Sequence, residues 1–223
     1  KNSVRNGRVH LIGLISDGGV HSHQNHFYGV LEILRRYEIN EVYIHAITDG
    51  RDTLPKSGIE FINALEQKMK LLEIGQIATV SGRYYAMDRD KNWDRTKKFY
   101  DAMVSGIGKI SNSSTACLKN SYSNDVTDEF IEPTIINSKG CIQSGDSVLF
   151  MNFRPDRARQ TSFALENNNF TNFDARDLNL NFTVMTPYSS DLNVPVVYSK
   201  ENLKNTIAEV IANKGMRQFK IAE

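Results

Sequence analysis

The stretch LISDGGVHSH, residues 14–23, contains the transition on which the fold depends. It ends a short apolar run that begins at Val9, and apolar residues then recur at helical spacing from Ser22 to Tyr37. This order predicts a buried strand, a glycine-containing loop and a helix. Because the same order recurs along the chain, we predict an α/β fold with a mostly parallel sheet and flanking helices.

The repeated units can be located from apolar runs and helical periodicity. Further strands are predicted at residues 42–48, 77–81, 147–152 and 182–186, and further helices at residues 59–72 and 92–103 and up to about residue 165. Residues 105–143 are rich in Ser, Asn, Thr and Lys and weakly periodic, which indicates an excursion at the edge of the domain.

The end of the chain has a different pattern. Residues 194–200 are interpreted as a connecting segment, and residues 201–213 are predicted to form an amphipathic helix ended by Lys214 and Gly215. The final residues, KIAE, are interpreted as part of an unfinished strand.

Composition excludes several classes of protein. The chain has 223 residues, 40% of them hydrophobic and 24% charged, as is typical of a globular protein of one or two domains. No apolar run approaches the roughly 20 residues of a membrane span, so we expect a cytoplasmic protein. A net charge of +1 without a basic stripe argues against nucleic-acid binding. Cys117 and Cys141 lack the spacing of a disulfide framework or a zinc site.

Charged and imidazole side chains follow four of the predicted strands. They are His21 and His23, then Asp49, Arg51 and Asp52, then Arg83, Asp88 and Arg89, then Arg154, Asp156, Arg157 and Arg159. Loops after parallel strands emerge at the same end of a sheet, where ligands of open α/β sheets bind. Because guanidinium groups suit phosphate and carboxylate oxygens, the pattern predicts a site for a small anion.

Some of these side chains have a simpler interpretation. Any one arginine alone could be a solvated residue or the partner of a nearby aspartate. His21 and His23 form a weak metal signature without a local cluster of carboxylates or cysteines. Hydrogen bonding to a ligand, or capping of the helix by Ser22, is the expectation for this segment, and we assign no metal ligand.

The other histidines and the motifs absent from the sequence narrow the function further. His45 lies within an apolar run and is expected to be a satisfied core histidine, whereas nothing distinguishes His10 and His26. The glycines match neither GxGxxG nor the Walker pattern, and GxSxG and HExxH are absent. The residues alone therefore indicate an anion-binding domain without a visible catalytic motif.

Five ordered segments resemble a known family. They are LISDGGVHSH at 14–23, HAITDGRDTLPKSG at 45–58, ATVSGRYYAMDRDKNW at 78–93, VTDEFIEPT at 126–134 and DSVLFMNFRPDRARQ at 146–160. These segments are similar to those of the cofactor-independent phosphoglycerate mutases. The resemblance extends over essentially the whole chain.

The resemblance implies an enzyme with two domains. One is phosphatase-like, similar to alkaline phosphatase, and holds two manganese ions and a nucleophilic serine; the other is an inserted domain that holds glycerate. Residues 1–200 resemble the inserted substrate-binding domain, slightly incomplete at its start, and residues 201–223 resemble the truncated return into the phosphatase-like domain. The serine and the metal ligands are expected outside this chain, 2,3-bisphosphoglycerate is not required, and the complete enzyme is expected to be a monomer.

The resemblance also implies roles for individual residues. Contacts with 3-phosphoglycerate or 2-phosphoglycerate are expected from His21, Arg51, Asp52, Arg83, Arg89, Arg154 and Arg157. Asp52 is the candidate for transferring the proton of the glycerate hydroxyl, with His21 as its hydrogen-bonding partner. A purely structural Asp52, paired with an arginine of the same loops, is the alternative.

A second functional class remains open. The chain could act as a stand-alone anion-binding or regulatory module without catalysis. Since the sequence stops at KIAE rather than after a completed element, we favour a fragment of the isomerase that is inactive alone.

Overall fold

The structure is a computed structural model that describes residues 7–167, 170–199, 203–219 and 221. Its strands are β1 (Arg8–Leu14), β2 (Glu41–Thr48), β3 (Gln76–Gly82), β4 (Lys109–Ile110), β5 (Thr134–Ile135), β6 (Ser147–Phe150) and β7 (Asn181–Val184). Within the described residues these seven strands form one sheet in the order β4-β5-β3-β2-β1-β6-β7. The β3–β5 pair is antiparallel and the other pairs of neighbouring strands are parallel, which confirms the predicted fold class.

Helices cover both faces of the sheet. They are α1 (Gln24–Arg36), α2 (Gly58–Leu72), α3 (Arg83–Ala86), α4 (Trp93–Val104), α5 (Ser114–Ser123), α6 (Arg159–Glu166) and α7 (Ile207–Asn213). Buried side chains of α1, α2 and α5 pack on one face, and those of α4 and α6 pack on the other. Leu11 and Ile12, adjacent on β1, belong to opposite cores and are both fully buried. Such two-sided burial explains why the parallel strands are continuous apolar runs.

The connections create a switch point beside β1. From β1 the chain proceeds to β2 and β3 toward one edge, and it later returns to β6 on the opposite side of β1. The crossovers after β1 and after β6 therefore diverge. Ligands of open α/β sheets bind in the crevice at the carboxyl ends of strands beside such a point.

The elements predicted from residues 9–186 are confirmed to within two residues, and one segment differs. Residues 83–86, interpreted as part of a loop, form the short helix α3. The excursion at residues 105–143 lies at the sheet edge as predicted and supplies β4, α5 and β5.

The last helix begins later than predicted, at Ile207. Thr206 caps it: its hydroxyl accepts a hydrogen bond from the N–H of Glu209, whose carboxylate accepts one from the N–H of Thr206. This capping box fixes the start of the helix, so the prediction from residue 201 is wrong for residues 203–206. Residues 201–202 lie outside the described residues. The predicted end is confirmed, because Lys214 is the C-cap and Gly215 has a φ of +67°.

The predicted connecting segment is attached to β7 along its described part. The N–H of Val197 donates to the carbonyl of Val184 at 2.9 Å, and the N–H of Val184 donates to Pro195 at 3.0 Å. Lys200 and most of the terminal KIAE lie outside the described residues. In the described part of the chain, each helix is too short or too polar to cross a bilayer.

Candidate anion-binding site

The candidate site lies where β1, β2, β3 and β6 end. Asp49 directly follows β2, and Arg83 directly follows β3 as the first residue of α3. The loop after β1 carries His21, and the loop after β6 carries Arg154. The backbone N–H groups of Phe153 and Arg154 both donate to the carbonyl of His21, at 2.8 Å and 3.4 Å. This contact joins the loops on either side of the switch point.

Arg83 lies between two aspartates. Its Nη1 is 2.7 Å from Oδ1 of Asp49 and 2.6 Å from Oδ2 of Asp52. The Arg83 side chain is 3% exposed and that of Asp49 is 1% exposed, whereas the Asp52 side chain is 22% exposed. A buried guanidinium needs such carboxylate partners because desolvation of an unpaired charge is costly.

His21 is a buried, neutral imidazole between two carboxylates. Its Nε2 lies 4.0 Å from Oδ2 of Asp52, and its Nδ1 lies 3.8 Å from Oδ1 of Asp156. Burial, and then the positive charge of Arg83, lower the pKa of His21 to about 4. At neutral pH the ring therefore carries one N–H donor and one acceptor nitrogen. Nδ1 is buried without a hydrogen-bond partner in the described structure.

Asp156 holds two of the candidate arginines. Its carboxylate is 2.9 Å from Nε of Arg154 and 3.1 Å from Nη1 of Arg89. Burial alone would raise the pKa of Asp156, but Arg154, His21 and Arg89 together hold it below the usual range. Arg89 and Arg154 remain about half exposed. Both can therefore reach an anion in the crevice.

Arg157 shows how close the cations lie to one another. Its Nη1 donates to the carbonyl of Met87 at 3.2 Å. Burial lowers the pKa of Arg157, and the positive charges of Arg89, Arg83 and Arg51 lower it further. Mutual repulsion of this kind is relieved when an anionic ligand binds among the guanidinium groups.

The excursion supplies a wall of the site that the sequence analysis did not identify. Nη1 of Arg51 lies 3.6 Å from Oε1 of Glu129. A Cβ atom on Gly82, the last residue of β3, would lie 2.6 Å from the carbonyl carbon of Glu129. The carboxylate of Asp128 accepts from the N–H of Gly58 at 2.7 Å and also from the hydroxyl of Tyr122. The sequence feature that could have identified Asp128 and Glu129 is the segment VTDEFIEPT, residues 126–134, which is similar to a segment of the cofactor-independent phosphoglycerate mutases.

Other charged loop residues have structural partners. Asp88 accepts hydrogen bonds from the N–H groups of Asp90 and Asn92 and from the side chain of Gln160, which fixes the loop before α4. Nε of Arg159 donates to the carbonyl of Tyr188 at 2.7 Å. Asp88 and Arg159 therefore hold neighbouring backbone in place, and we assign neither of them to ligand binding.

The expectation that Ser22 caps α1 is wrong. His23 is the N-cap, and its ring accepts a hydrogen bond from the N–H of Asn25. The hydroxyl of Ser22 is buried without a partner in the described structure. His23 is thus accounted for by helix capping, and the described residues contain no group of three or more His, Cys, Asp or Glu side chains that could hold a metal ion.

The interpretation of His45 as a satisfied core histidine is confirmed. Its Nδ1 lies 3.0 Å from Oγ1 of Thr79, and its Nε2 lies 3.1 Å from Nδ1 of His10. His10, which nothing distinguished in the sequence, is 2.9 Å from the buried carboxylate of Asp146. This chain of contacts crosses the sheet away from the crevice.

Comparison with known proteins identifies the same family as the five sequence segments at 14–23, 45–58, 78–93, 126–134 and 146–160. The family described as "BPG-independent PGAM N-terminus" matches residues 1–190. The 2,3-bisphosphoglycerate-independent phosphoglycerate mutase of Clostridium tetani is 46% identical over 223 residues, covering 98% of this chain and 44% of the relative. That of Trichormus variabilis is 49% identical over 220 residues, covering 98% of this chain and 41% of the relative.

A solved structure shows the same fold. The crystal structure of Leishmania mexicana phosphoglycerate mutase at low cobalt concentration aligns with a TM-score of 0.85 and 30% identity. The alignment covers 96% of this chain and 42% of that one, so the chain spans less than half the length of the proteins it matches. From these matches, the chain belongs to the family of 2,3-bisphosphoglycerate-independent phosphoglycerate mutases, of which it matches the N-terminal part.

Proposed function

We propose that this chain is the substrate-binding portion of an isomerase that interconverts 3-phosphoglycerate and 2-phosphoglycerate. The observation that carries the proposal is the convergence of five arginines with Asp52 and His21 at the switch point. The arginines are Arg51, Arg83, Arg89, Arg154 and Arg157. Phosphoglycerate carries a phosphate and a carboxylate, and both groups match the guanidinium fork.

The proposed reaction proceeds through a phosphoserine. The serine hydroxyl loses its proton as its oxygen bonds to phosphorus, the bond from phosphorus to the C3 oxygen breaks, and the C3 oxygen gains a proton. Glycerate then reorients without leaving; its 2-hydroxyl loses a proton as it takes the phosphoryl group, and the serine oxygen regains one. In this proposal the serine belongs to the remaining part of a longer protein, and the chain described here holds the glycerate.

The roles proposed for individual residues come from the resemblance to the family, and the positions of these residues in the crevice support them. Arg154 and Arg157 are assigned to the phosphate or carboxylate, and Arg83 and Arg89 complete the clamp. Asp52 is assigned to the proton of the glycerate hydroxyl, since its carboxylate is partly exposed and faces His21. Its contact with Arg83 also fits a purely structural role, and the turnover of an Asp52→Asn variant separates the two.

The rest of the protein is part of the same proposal. Residues 1–200 form the substrate-binding domain, and residues 201–223 begin the return into a phosphatase-like domain. That domain would hold two manganese ions, which would supply charge stabilisation for phosphoryl transfer. The complete protein is proposed to act as a cytoplasmic monomer. The alternative, a stand-alone anion-binding or regulatory module, predicts binding without turnover even when the chain is joined to a phosphatase-like domain.

Calorimetric titration of the chain with 3-phosphoglycerate tests the proposal. We expect binding that weakens with added salt, since the contacts are between charges near the surface. Arg154→Ala should abolish measurable binding, whereas Arg36→Ala should not. Arg36 is an exposed arginine of the last turn of α1, about 20 Å along the helix from the end that faces the site. Equal binding by both variants, or none by the unmodified chain, would contradict the assigned site.

A further inference from the structure

Asp49 is a buried carboxylate with donors from three parts of the chain. The hydroxyl of Ser16, in the loop after β1, donates to Oδ2 at 2.8 Å. Nη1 of Arg83, after β3, donates to Oδ1 at 2.7 Å. The backbone N–H groups of Asp52 and Arg51 also donate to Oδ1, at 3.0 Å and 3.2 Å. One side chain therefore connects the ends of three adjacent strands.

These donors keep Asp49 ionised in spite of its burial. Burial alone would raise the pKa of the carboxyl group. The N–H of Asp52, the hydroxyl of Ser16 and the Arg83 guanidinium together hold that pKa below its usual range. A charged acceptor at neutral pH makes each of these hydrogen bonds stronger than a neutral pair would.

The hydrogen bonds from the N–H groups of Arg51 and Asp52 to Asp49 fix the loop that carries Asp52. An aspartate that accepts from N–H groups two and three residues later closes a tight local turn. Here that turn determines where the side chains of Arg51 and Asp52 leave the backbone. Gly18 allows the loop after β1 to pack against the turn, since a Cβ there would lie 3.1 Å from Cβ of Asp52.

The hydrogen bond from Arg83 to Asp49 restricts the orientation of the Arg83 guanidinium group. Asp49 and Asp52 share a single guanidinium nitrogen, Nη1. Both of these hydrogen bonds come from Nη1, on one side of the guanidinium group. With Nη1 held from inside the fold, the orientation of the planar fork is set before a ligand arrives.

We propose that Asp49 is a positioning residue, which orients Arg83 and the turn bearing Asp52 without touching the ligand itself. Its four donors are all groups of the protein, and it lies beneath Asp52, which is the more exposed carboxylate. The identity of the ligand rests on the function proposed above. The orientation of Arg83 in the free chain does not depend on that function, so the positioning role of Asp49 and the proposed function can fail separately.

A simple countercharge role makes the opposite prediction. If Asp49 only reduced the positive potential, its neutralisation would strengthen the binding of any anion. If it positions Arg83, neutralisation weakens the binding of a ligand that needs the oriented fork. Asp49→Asn tests both effects with almost no change in shape, because it removes the charge that strengthens the contacts to Oδ1 and replaces Oδ2, the acceptor for Ser16, with an amide donor.

The experiment uses the 223-residue chain and two readouts. The first is the nitrogen-15 NMR signal of the Arg83 Nε–H group, assigned from its loss in Arg83→Lys. In Asp49→Asn we expect this signal to shift and broaden. The second is calorimetry with 3-phosphoglycerate, for which we expect about a tenfold or greater loss of affinity. Inorganic sulfate, which needs no particular orientation, should bind the variant as well as before or more tightly.

The control is Asp125→Asn, which removes a carboxylate that is 99% exposed and paired with Lys56 at 3.5 Å. It should alter neither readout.

An unshifted Arg83 signal in Asp49→Asn, or tighter binding of 3-phosphoglycerate, would overturn the positioning role. If the unmodified chain does not bind 3-phosphoglycerate, the proposed function fails, and broadening of the Arg83 signal then decides the role of Asp49, because loss of a neighbouring charge shifts the signal in either role. If Asp49→Asn does not fold, Ser16→Ala replaces it, with a smaller shift of the Arg83 signal expected and no shift contradicting the proposal.

Discussion

Nη1 of Arg83 lies 2.6 Å from Oδ2 of Asp52, so a residue that follows β3 directly contacts one in the loop after β2. Nε2 of His21, from the loop after β1, is 4.0 Å from the same carboxylate oxygen. Asp52 is thus reached from both neighbouring loops while its side chain stays partly open to the crevice. A group that exchanges a proton with a bound hydroxyl needs this combination of fixed position and access.

Replacing Asp52 with Asn should therefore affect turnover more than binding. The test uses a chimera in which this chain replaces the matching 44% of the Clostridium tetani mutase. We expect kcat to fall by about 100-fold to 10,000-fold with a small change in KM, since proton transfer is lost but the arginines remain. Asp125→Asn is the matched control. Unchanged turnover in Asp52→Asn would leave the carboxylate a structural role only.

His21 should make stability depend on pH in a defined window. Its pKa is about 4 in the folded chain and about 6.5 when the chain is unfolded, so between these values only the unfolded chain binds the proton. The contribution of neutral His21 is complete above pH 6.5 and is lost as the pH falls toward 4, by an amount on the order of 2 kcal/mol. Urea denaturation of the unmodified chain and of His21→Asn at pH 7, 5.5 and 4.5 measures it.

The variant should lose less of its free energy of unfolding than the unmodified chain as the pH falls. The control variant is His26→Asn, which replaces an exposed histidine beside Phe153. An identical decline in His21→Asn and the unmodified chain would show that His21 is not the group that titrates in this window.

The sequence predicted the features that arise from local pattern. Apolar runs followed by helical periodicity located the strands and helices between residues 9 and 186, because parallel strands covered on both faces must be apolar throughout. The charged loops predicted the crevice, since the topology brings the ends of parallel strands together. The start of α7 was missed because the capping box of Thr206 and Glu209 outweighed the periodicity before it.

Contacts between distant residues could not be predicted in the same way. Glu129 belongs to a weakly periodic segment, and only the folded chain places it 3.6 Å from Arg51. The hydrogen bonds of Asp49 likewise depend on the relative positions of three loops. His10 looked ordinary because its partner, Asp146, is 136 residues away.

Gly82→Ala should displace the wall that carries Glu129. The added Cβ would lie 2.6 Å from the carbonyl carbon of Glu129 and 2.7 Å from the carbonyl oxygen of Asp128, and backbone cannot yield as a flexible side chain can. We expect a loss of about 1–3 kcal/mol in the free energy of unfolding, measured by urea denaturation. Weaker binding of 3-phosphoglycerate should accompany it, because Arg51 loses its partner.

Gly29→Ala is the matched control for this substitution. Gly29 lies within α1, and a Cβ there would meet nothing within 4 Å. Alanine should stabilise that helix by about 0.5–1 kcal/mol and leave binding unchanged. A neutral Gly82→Ala would mean that the segment at 128–129 can move away from β3 without cost.

The buried chain from Asp146 to Thr79 should support the fold without taking part in binding. Burial lowers the pKa of His10 and lowers that of His45 well below its ordinary value, so both rings are neutral at pH 7. One arrangement of protons then satisfies every link: His10 donates to Asp146, His45 donates to His10, and Thr79 donates to His45. Asp146 precedes β6, at the opposite end of that strand from the crevice.

Removing either end of this chain should therefore cost stability in unequal amounts. Asp146→Ala removes a buried charge that also accepts from the N–H of Gln143, and we expect a loss of about 3–5 kcal/mol. Thr79→Val keeps the shape and leaves one imidazole nitrogen of His45 without a donor, for a loss of about 1–3 kcal/mol. Urea denaturation measures both losses, and calorimetry under conditions where each variant is folded should give the affinity of the unmodified chain for 3-phosphoglycerate. If a folded Asp146→Ala variant no longer bound 3-phosphoglycerate, the prediction would be contradicted. The buried contacts from Asp146 to Thr79 would then influence the crevice as well as the stability of the fold.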